Sequence, residues 1–381
     1  MTRRAVRVLI CAVLLLALCV LPAAAEDETQ PALSMPPEYC AVPDYLPGDV
    51  TDFLPEGLFS TDPAEAAEAL SDVTRFSVLL STLLSCLGLR LADASCMLSV
   101  LIGLLLLGTV LRRVSGALGG QADKVSGFLM RLSLFGTAAG MTAGLAGTVT
   151  AYFRQLTSLT AGFIPVIGTL YAIGGNVTQA AAGQGLLVVF LAVIDLLCTK
   201  PAPGICGVCM ALSLFEVIGT RIRPGALSER IRKTYAGLLG FAMFLLSALL
   251  GTQTLLSAGR DTIRMKGLRY AVSQMIPVAG GAVSASLNTI SAGVTVLRRI
   301  TGTSGILLLG LLLLPTLIEL LLMRQVLLWS SSAAEMLDCP EESRLLGEIA
   351  GLYGYMAAAA AVSSVFFTLS LALLASCAGV L

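Results

Sequence analysis

Apolar runs long enough to cross a bilayer recur along this chain, at about residues 95–111, 125–151, 178–198, 204–219, 236–258, 302–324 and 349–379. The sixth reads GTSGILLLGLLLLPTLIELLLMR. A hydrocarbon core about 30 Å thick is spanned by roughly 20 helical residues. Because no water is present there to satisfy peptide groups, such runs must close their own hydrogen bonds, as helices do. The expected fold is therefore all-α: a polytopic integral membrane protein with about seven transmembrane helices. Composition agrees, with 56% hydrophobic residues, 13% charged and a mean hydropathy of +0.88.

The N-terminal stretch differs from the rest. Arg3, Arg4 and Arg7 precede an apolar core at residues 8–21, followed by Pro22 and Ala23, Ala24 and Ala25. This pattern is a secretory signal peptide over residues 1–25 with an A-x-A cleavage site; an uncleaved anchor is the alternative. Residues 26–72 hold many Asp and Glu, seven prolines and neither Lys nor Arg. Such a segment buries too little apolar surface to fold alone and reads as an acidic extracytoplasmic arm, solvated or serving as a partner-binding strip. Residues 73–91 place Phe76, Leu80, Leu83, Leu84, Leu87 and Leu91 on one helical face, opposite Ser77, Ser81, Ser85 and Gly88. That is an amphipathic helix, expected at the membrane interface, with a tilted crossing as the alternative. Residues 92–381 form the polytopic membrane domain.

Within it one motif occurs twice. FIPVIGTLYAIGGN at 163–176 returns as MIPVAGGAVSASLN at 275–288, aligning Pro165, Gly168 and Asn176 with Pro277, Gly280 and Asn288. Flanking apolar runs suggest repeat units at about 95–198 and 204–324, followed by a last helix at 349–379. Helix breakers at membrane depth are tolerated where protein or a water-filled cavity surrounds the backbone. Paired broken segments also point to a transport site. Both copies are thus expected to be Pro/Gly-broken, as re-entrant dips or as crossings. Dipping gives inverted repeats and crossing gives parallel ones; basic-residue counts favour neither. Both versions put Arg112 and Arg113 inside, the acid-rich loop at 335–348 outside and the C-terminus inside.

Enzyme chemistry finds little to use. The chain has no histidine, which removes the commonest general base and metal ligand. No lysine follows a glycine-rich phosphate loop and no G-x-S-x-G is present. Neither a catalytic residue, a metal site nor a cofactor is expected, and scattered basic residues leave no nucleic-acid footprint. Cys206 and Cys209 form a CxxC inside an apolar run and read as buried small hydrophobes. Cys40 and Cys339 are the pair that could bridge on the extracytoplasmic face.

Ionisable groups inside apolar runs are functional candidates, since a charge at mid-helix costs about 2.5–3.5 kcal/mol even on the gentler scale. These are Arg131, Asp195, Glu216 and Glu319. Glu319 follows Pro315 by one turn, and a pore, ion or partner-pairing role stands beside an interhelical structural pair, with Arg131 as its candidate partner. Asp195 and Glu216 are close enough to span ends to reach the interface. Gly136, Gly140 and Gly144 recur every fourth residue, a helix-packing ridge of the kind membrane helices use.

The signal peptide, acidic arm and paired IPV-x-G segments, the second in LRYAVSQMIPVAGGAVSASLNTISAGVTVLRRITGTSG, resemble the stage III sporulation protein AE family. The likeness runs along essentially the whole chain and is most specific over residues 266–305. It implies a non-enzymatic component of the mother-cell-to-forespore channel, a secretion-like complex needed for endospore formation, in the mother-cell membrane around the forespore. The implied partners are ring-forming channel proteins and a separate ATPase, with homo-oligomerisation open. A conduit, an autonomous secondary transporter for a small solute and a non-conducting platform are the competing readings of its role.

Overall fold

The computed structural model describes residues 34–46, 54–55, 57–74, 76–118, 120–173, 177–217, 225–275 and 280–376. Among them all regular structure is helical. Two short helices, α1 (Pro37–Cys40) and α2 (Pro63–Thr74), precede the long ones: α3 (Phe76–Leu118), α4 (Gly120–Ile173), α5 (Val177–Ile194), α6 (Pro201–Val217), α7 (Gly225–Met275), α8 (Gly280–Met336) and α9 (Pro340–Ser376). The signal segment 1–25, Asn176 and Pro277 lie outside the described residues, as do the side chains of Glu216 and Asn288 and the surroundings of Gly280.

Five helical stretches among the described residues are long and apolar enough to cross a membrane: Arg90–Ser115, Val125–Ile173, Leu187–Ser213, Gly293–Met336 and Pro340–Thr368. The expected run at 236–258 lies on α7. The runs at 178–198 and 204–219, expected to be separate crossings, are instead one arm. Between α5 and α6 the backbone makes a π-turn over Asp195–Thr199, with the Lys200 amide donating to the Asp195 carbonyl at 3.2 Å, and Ile194 and Lys200 both keep helical dihedrals. The physical reason is Pro201. Its ring would crowd the carbonyl four residues back in a regular helix; the wider turn opens that contact while the chain keeps its direction.

This join changes the topology. The end of α3 (Arg112) and the starts of α4 (Arg131) and α7 (Arg232) all meet the first turns of α9 through ion pairs. Six arms, α3, α4, α5–α6, α7, α8 and α9, therefore run alternately up and down. Arg112 and the acid-rich turn at 335–348 share one end of the bundle, here called the acidic end. The expectation that they lie on opposite sides is corrected: the re-entrant version counts α5–α6 as two crossings, and the crossing version counts the motif copies as crossings of their own as well, so both leave the acid-rich turn and the end of α9 on the wrong side relative to Arg112.

The 73–91 segment is not a separate interfacial helix. Residues 76–91 are the opening turns of α3, which runs on without a break into the first apolar stretch. The acidic arm does not stay wholly in solvent. Met35, Tyr39 and Val42 are buried in the main core; the Tyr39 hydroxyl donates to the Leu58 carbonyl at 3.1 Å, and Ser158 of α4 donates to the Tyr45 carbonyl at 2.8 Å. Burial pushes the Tyr39 phenol well above its ordinary range. A segment that cannot form its own core thus borrows one from the bundle.

Close packing inside the bundle depends on glycines that periodicity does not single out. A Cβ at Gly108 would lie 1.6 Å from the Met130 sulfur, and one at Gly305 would lie 2.7 Å from a Leu371 methyl. Aromatic rings fill the level between α4, α5 and α9, with Phe190 stacked on Phe366 at 4.6 Å and Phe163 edge-on to Phe367 at 6.4 Å. Between apolar helices in lipid this van der Waals contact, rather than escape from water, holds the arms together.

Candidate functional site

Charge is concentrated where α9 begins. Its first turns carry Glu341, Glu342 and Glu348, and each is met by an arginine from a different helix. Carboxylates at a helix N-terminus are stabilised by the aligned peptide dipoles. Arg112 of α3 pairs with Glu342 at 2.6 Å, and that carboxylate is only 1% exposed. Arg131 of α4 pairs with Glu341. Arg232 of α7, 4% exposed, pairs with the Glu348 carboxylate and donates to its carbonyl at 2.7 Å. Its guanidinium also lies over the Tyr355 ring. Gly351 makes this possible, since a Cβ there would lie 2.3 Å from the Arg232 Nη1.

Glu319 sits elsewhere, on α8, and its partner is not Arg131. Arg90 of α3 approaches the Glu319 Oε2 at 3.2 Å, and Thr148 of α4 donates to Oε1 at 3.0 Å. The expected pairing with Arg131 is thereby corrected: Arg131 is held at the acidic end by Glu341. Arg90 is 45% exposed and Glu319 21%, so this link between three helices is reachable from outside the bundle core.

The two motif copies do not share one local structure. Pro165 and Gly168 lie inside α4, which continues as helix to Ile173, so the first copy is not broken at either residue. One missing amide removes one bond from a helix of 54 residues, a loss that neighbouring groups at membrane depth can offset. The Thr169 hydroxyl donates to the Pro165 carbonyl at 2.8 Å, and Gln184 of α5 donates to the Ile164 carbonyl at 3.2 Å. Gly168 opens the approach for that amide: a Cβ would lie 1.8 Å from the Gln184 Nε2. In the second copy Pro277 falls between α7 and α8, while Gly280 and Asn288 lie on the opening turns of α8. Both copies thus fall near a helix-to-helix connection, α4 into α5 and α7 into α8. Arg298, further along α8, donates to the Leu170 carbonyl at 3.3 Å and packs its guanidinium 4.3 Å from the Tyr171 ring centre, tying the second copy's helix to the end of the first.

Gly136, Gly140 and Gly144 face outward on α4, and among the described residues nothing lies within 4 Å of a Cβ built on any of them. Among the described residues no neighbouring arm packs on the ridge. Cys206 and Cys209 are buried and free, as small hydrophobes would be, and Cys40 and Cys339 are free and not bridged. Asp195 is paired with Lys200 at 2.8 Å across the π-turn. Among the described residues no group of three or more Cys, Asp or Glu is placed to hold a metal.

Sequence reading missed Gln184, Arg90, Arg112, Arg232 and Arg298. The arginines stood at ends of apolar runs, where a charge reads as an interfacial anchor. Only the fold shows that several of them turn inward.

Long antiparallel helices with five stretches, among the described residues, long and apolar enough to cross a membrane, tied by arginine–carboxylate pairs, define a multi-pass all-α membrane protein. Comparison with protein families makes this specific. The model of stage III sporulation protein AE matches residues 66–378, most of the chain, and the protein belongs to that family. It is accordingly a membrane component of the sporulation channel or secretion-like apparatus, and proteins of this family are structural or channel components, not enzymes. No curated protein and no solved structure matches it.

Proposed function

We propose that this chain supplies the conduit through the outer forespore membrane. It would work with ring-forming channel proteins on the extracytoplasmic side and a separate ATPase in the mother cell. The acidic end of the bundle faces the mother-cell cytoplasm. Basic residues stand toward both ends of the bundle, Arg112, Arg113, Arg230, Arg232 and Lys233 at this one and Arg260, Arg264, Lys266, Arg269, Arg298 and Arg299 toward the other, so the orientation rests on the acidic arm, which docks on α4 away from the acidic end. The docked acidic arm then begins on the opposite side, as a chain led by a signal peptide requires.

The observation that carries the conduit reading is the Arg90–Glu319–Thr148 link. A carboxylate and a guanidinium that remain accessible within apolar helices require water or a polar partner nearby. Pro315, one turn before Glu319, lacks an amide and frees a carbonyl on the same helix. Glu319→Gln keeps the shape and the hydrogen bond to Thr148 while removing the charge. It is expected to reduce late forespore gene expression while co-purification with the other channel proteins persists. Full activity would refute the role; loss of co-purification would make Glu319 a partner-binding residue in a non-conducting platform. Solute uptake by the purified protein alone in liposomes would replace the conduit with an autonomous transporter.

A further inference from the structure

The outward surface of α4 is unlike that of the arms that meet lipid. On α3 the exposed side chains include Leu106, Leu107 and Val110, and on α7 Phe241, Phe244 and Leu245. These are surfaces that acyl chains cover well. On α4, beyond Leu132, the exposed positions become Gly136, Gly140, Gly144 and Gly147, interspersed with alanine, and then Arg154. A Cβ at any of those four glycines meets nothing within 4 Å.

The π-turn that adjoins α4 carries a charge pair at matching depth. Asp195 and Lys200, 45% and 71% exposed, fall well inside the apolar stretch Leu187–Ser213. Arg154 lies 19 residues before the end of α4 and Asp195 lies 18 residues after the start of α5. At 1.5 Å per residue both are about 27–29 Å from the connection between those helices. The Gln184–Ile164 hydrogen bond fixes this register. Among the described residues Arg154 has no acidic side chain within 4 Å, and it is exposed. Charged groups inside membrane segments face a bundle interior or water, not lipid.

We infer that this face of α4, with the adjoining π-turn, is the contact surface for a second copy of the chain in the same membrane. Copies inserted alike are related by an axis along the membrane normal, so groups at equal depth meet. Arg154 of one copy is then placed to reach Asp195 of the other, whose carboxylate has acceptor sites beyond those Lys200 occupies. The glycines let the two backbones approach closely enough for that contact, as small-residue ridges do between membrane helices. The inference goes beyond the conduit reading and stands whether or not the assembly conducts.

Cysteine cross-linking of the full-length protein in membranes tests it, in a background where the exposed Cys96 is replaced by Ser. Gly140→Cys and Gly144→Cys have open space for the new side chain, so folding is retained. Both are expected to give disulfide-linked dimers under mild oxidation, while Leu107→Cys and Leu245→Cys do not. Arg154→Asp and Asp195→Arg should each lower the dimer yield at position 144, and the double variant should restore it. Equal cross-linking at 107 and 245 would overturn the inference. So would adducts with a different protein alone, or labelling of 140 and 144 by impermeant thiol reagents without any dimer.

Discussion

Breaking the Arg112–Glu342 pair from its two sides should have very different costs. Glu342 is 1% exposed and Arg112 is 33% exposed, at 2.6 Å; the other carboxylate oxygen of Glu342 has no hydrogen-bond partner among the described residues. Arg112→Leu strands a buried carboxylate, and removing one member of a buried pair costs about 3–5 kcal/mol. Glu342→Gln instead leaves a guanidinium that can turn to water and keeps a neutral acceptor in place, a change worth about 1 kcal/mol. The double variant Arg112→Leu/Glu342→Leu should recover most of the loss, because replacing both members by apolar groups is often close to neutral. For a chain of 381 residues melting cooperatively with the usual entropy per residue, the Arg112→Leu cost corresponds to a fall in melting temperature of about 4–6 °C. Thermal unfolding of the detergent-solubilised protein reads this directly. Equal shifts for Arg112→Leu and Glu342→Gln, or a double variant no better than Arg112→Leu, would refute the claim that burial of Glu342 sets the energetics of this end.

Gly168→Ala should cost about 1–2 kcal/mol through the displaced Gln184 amide, and Gln184→Ala in the same chain should relieve the clash; additive losses in the thermal midpoint would show that the two do not meet. A cysteine in place of the exposed Asp338, which occupies a left-handed conformation at φ 56° in the turn between α8 and α9, should react with an impermeant thiol reagent only after the membrane is permeabilised. Labelling in intact cells would place the acidic end outside and invert the topology.

The helical class, the apolar runs and the buried character of Cys206 and Cys209 were legible because they rest on composition and length, which hydropathy reads directly. Connectivity was harder. Pro165 was expected to break its segment, since proline removes a bond wherever it stands, and the short gap between the runs at 178–198 and 204–219 was expected to separate two crossings. Whether a helix ends there depends on neighbours such as Gln184 and on the room for a π-turn, neither of which a linear reading contains. Charge pairing failed for a related reason: Glu319 has one basic residue on its own arm within a few turns, Arg324, yet its partner Arg90 comes from 229 residues away. Sequence signals the cost of a buried charge but not the direction from which it is compensated. The glycines divide in the same way, for Gly136, Gly140 and Gly144 have the regular spacing, while Gly108, Gly168 and Gly351 make the close contacts within the chain.

The length of α8 has a mechanical consequence. Its 57 residues make about 86 Å of helix at 1.5 Å per residue, close to three times the thickness of the hydrocarbon layer. A tilt of about 10° pivoted at one end of such a rod displaces the other by about 15 Å. Force applied to the turn at Met336 is therefore carried, with leverage, to the region around Gly280. The compliant point along that rod is Pro315, where one rung of the hydrogen-bond ladder is missing, and it lies one turn from the carboxylate that joins α8 to α3 and α4.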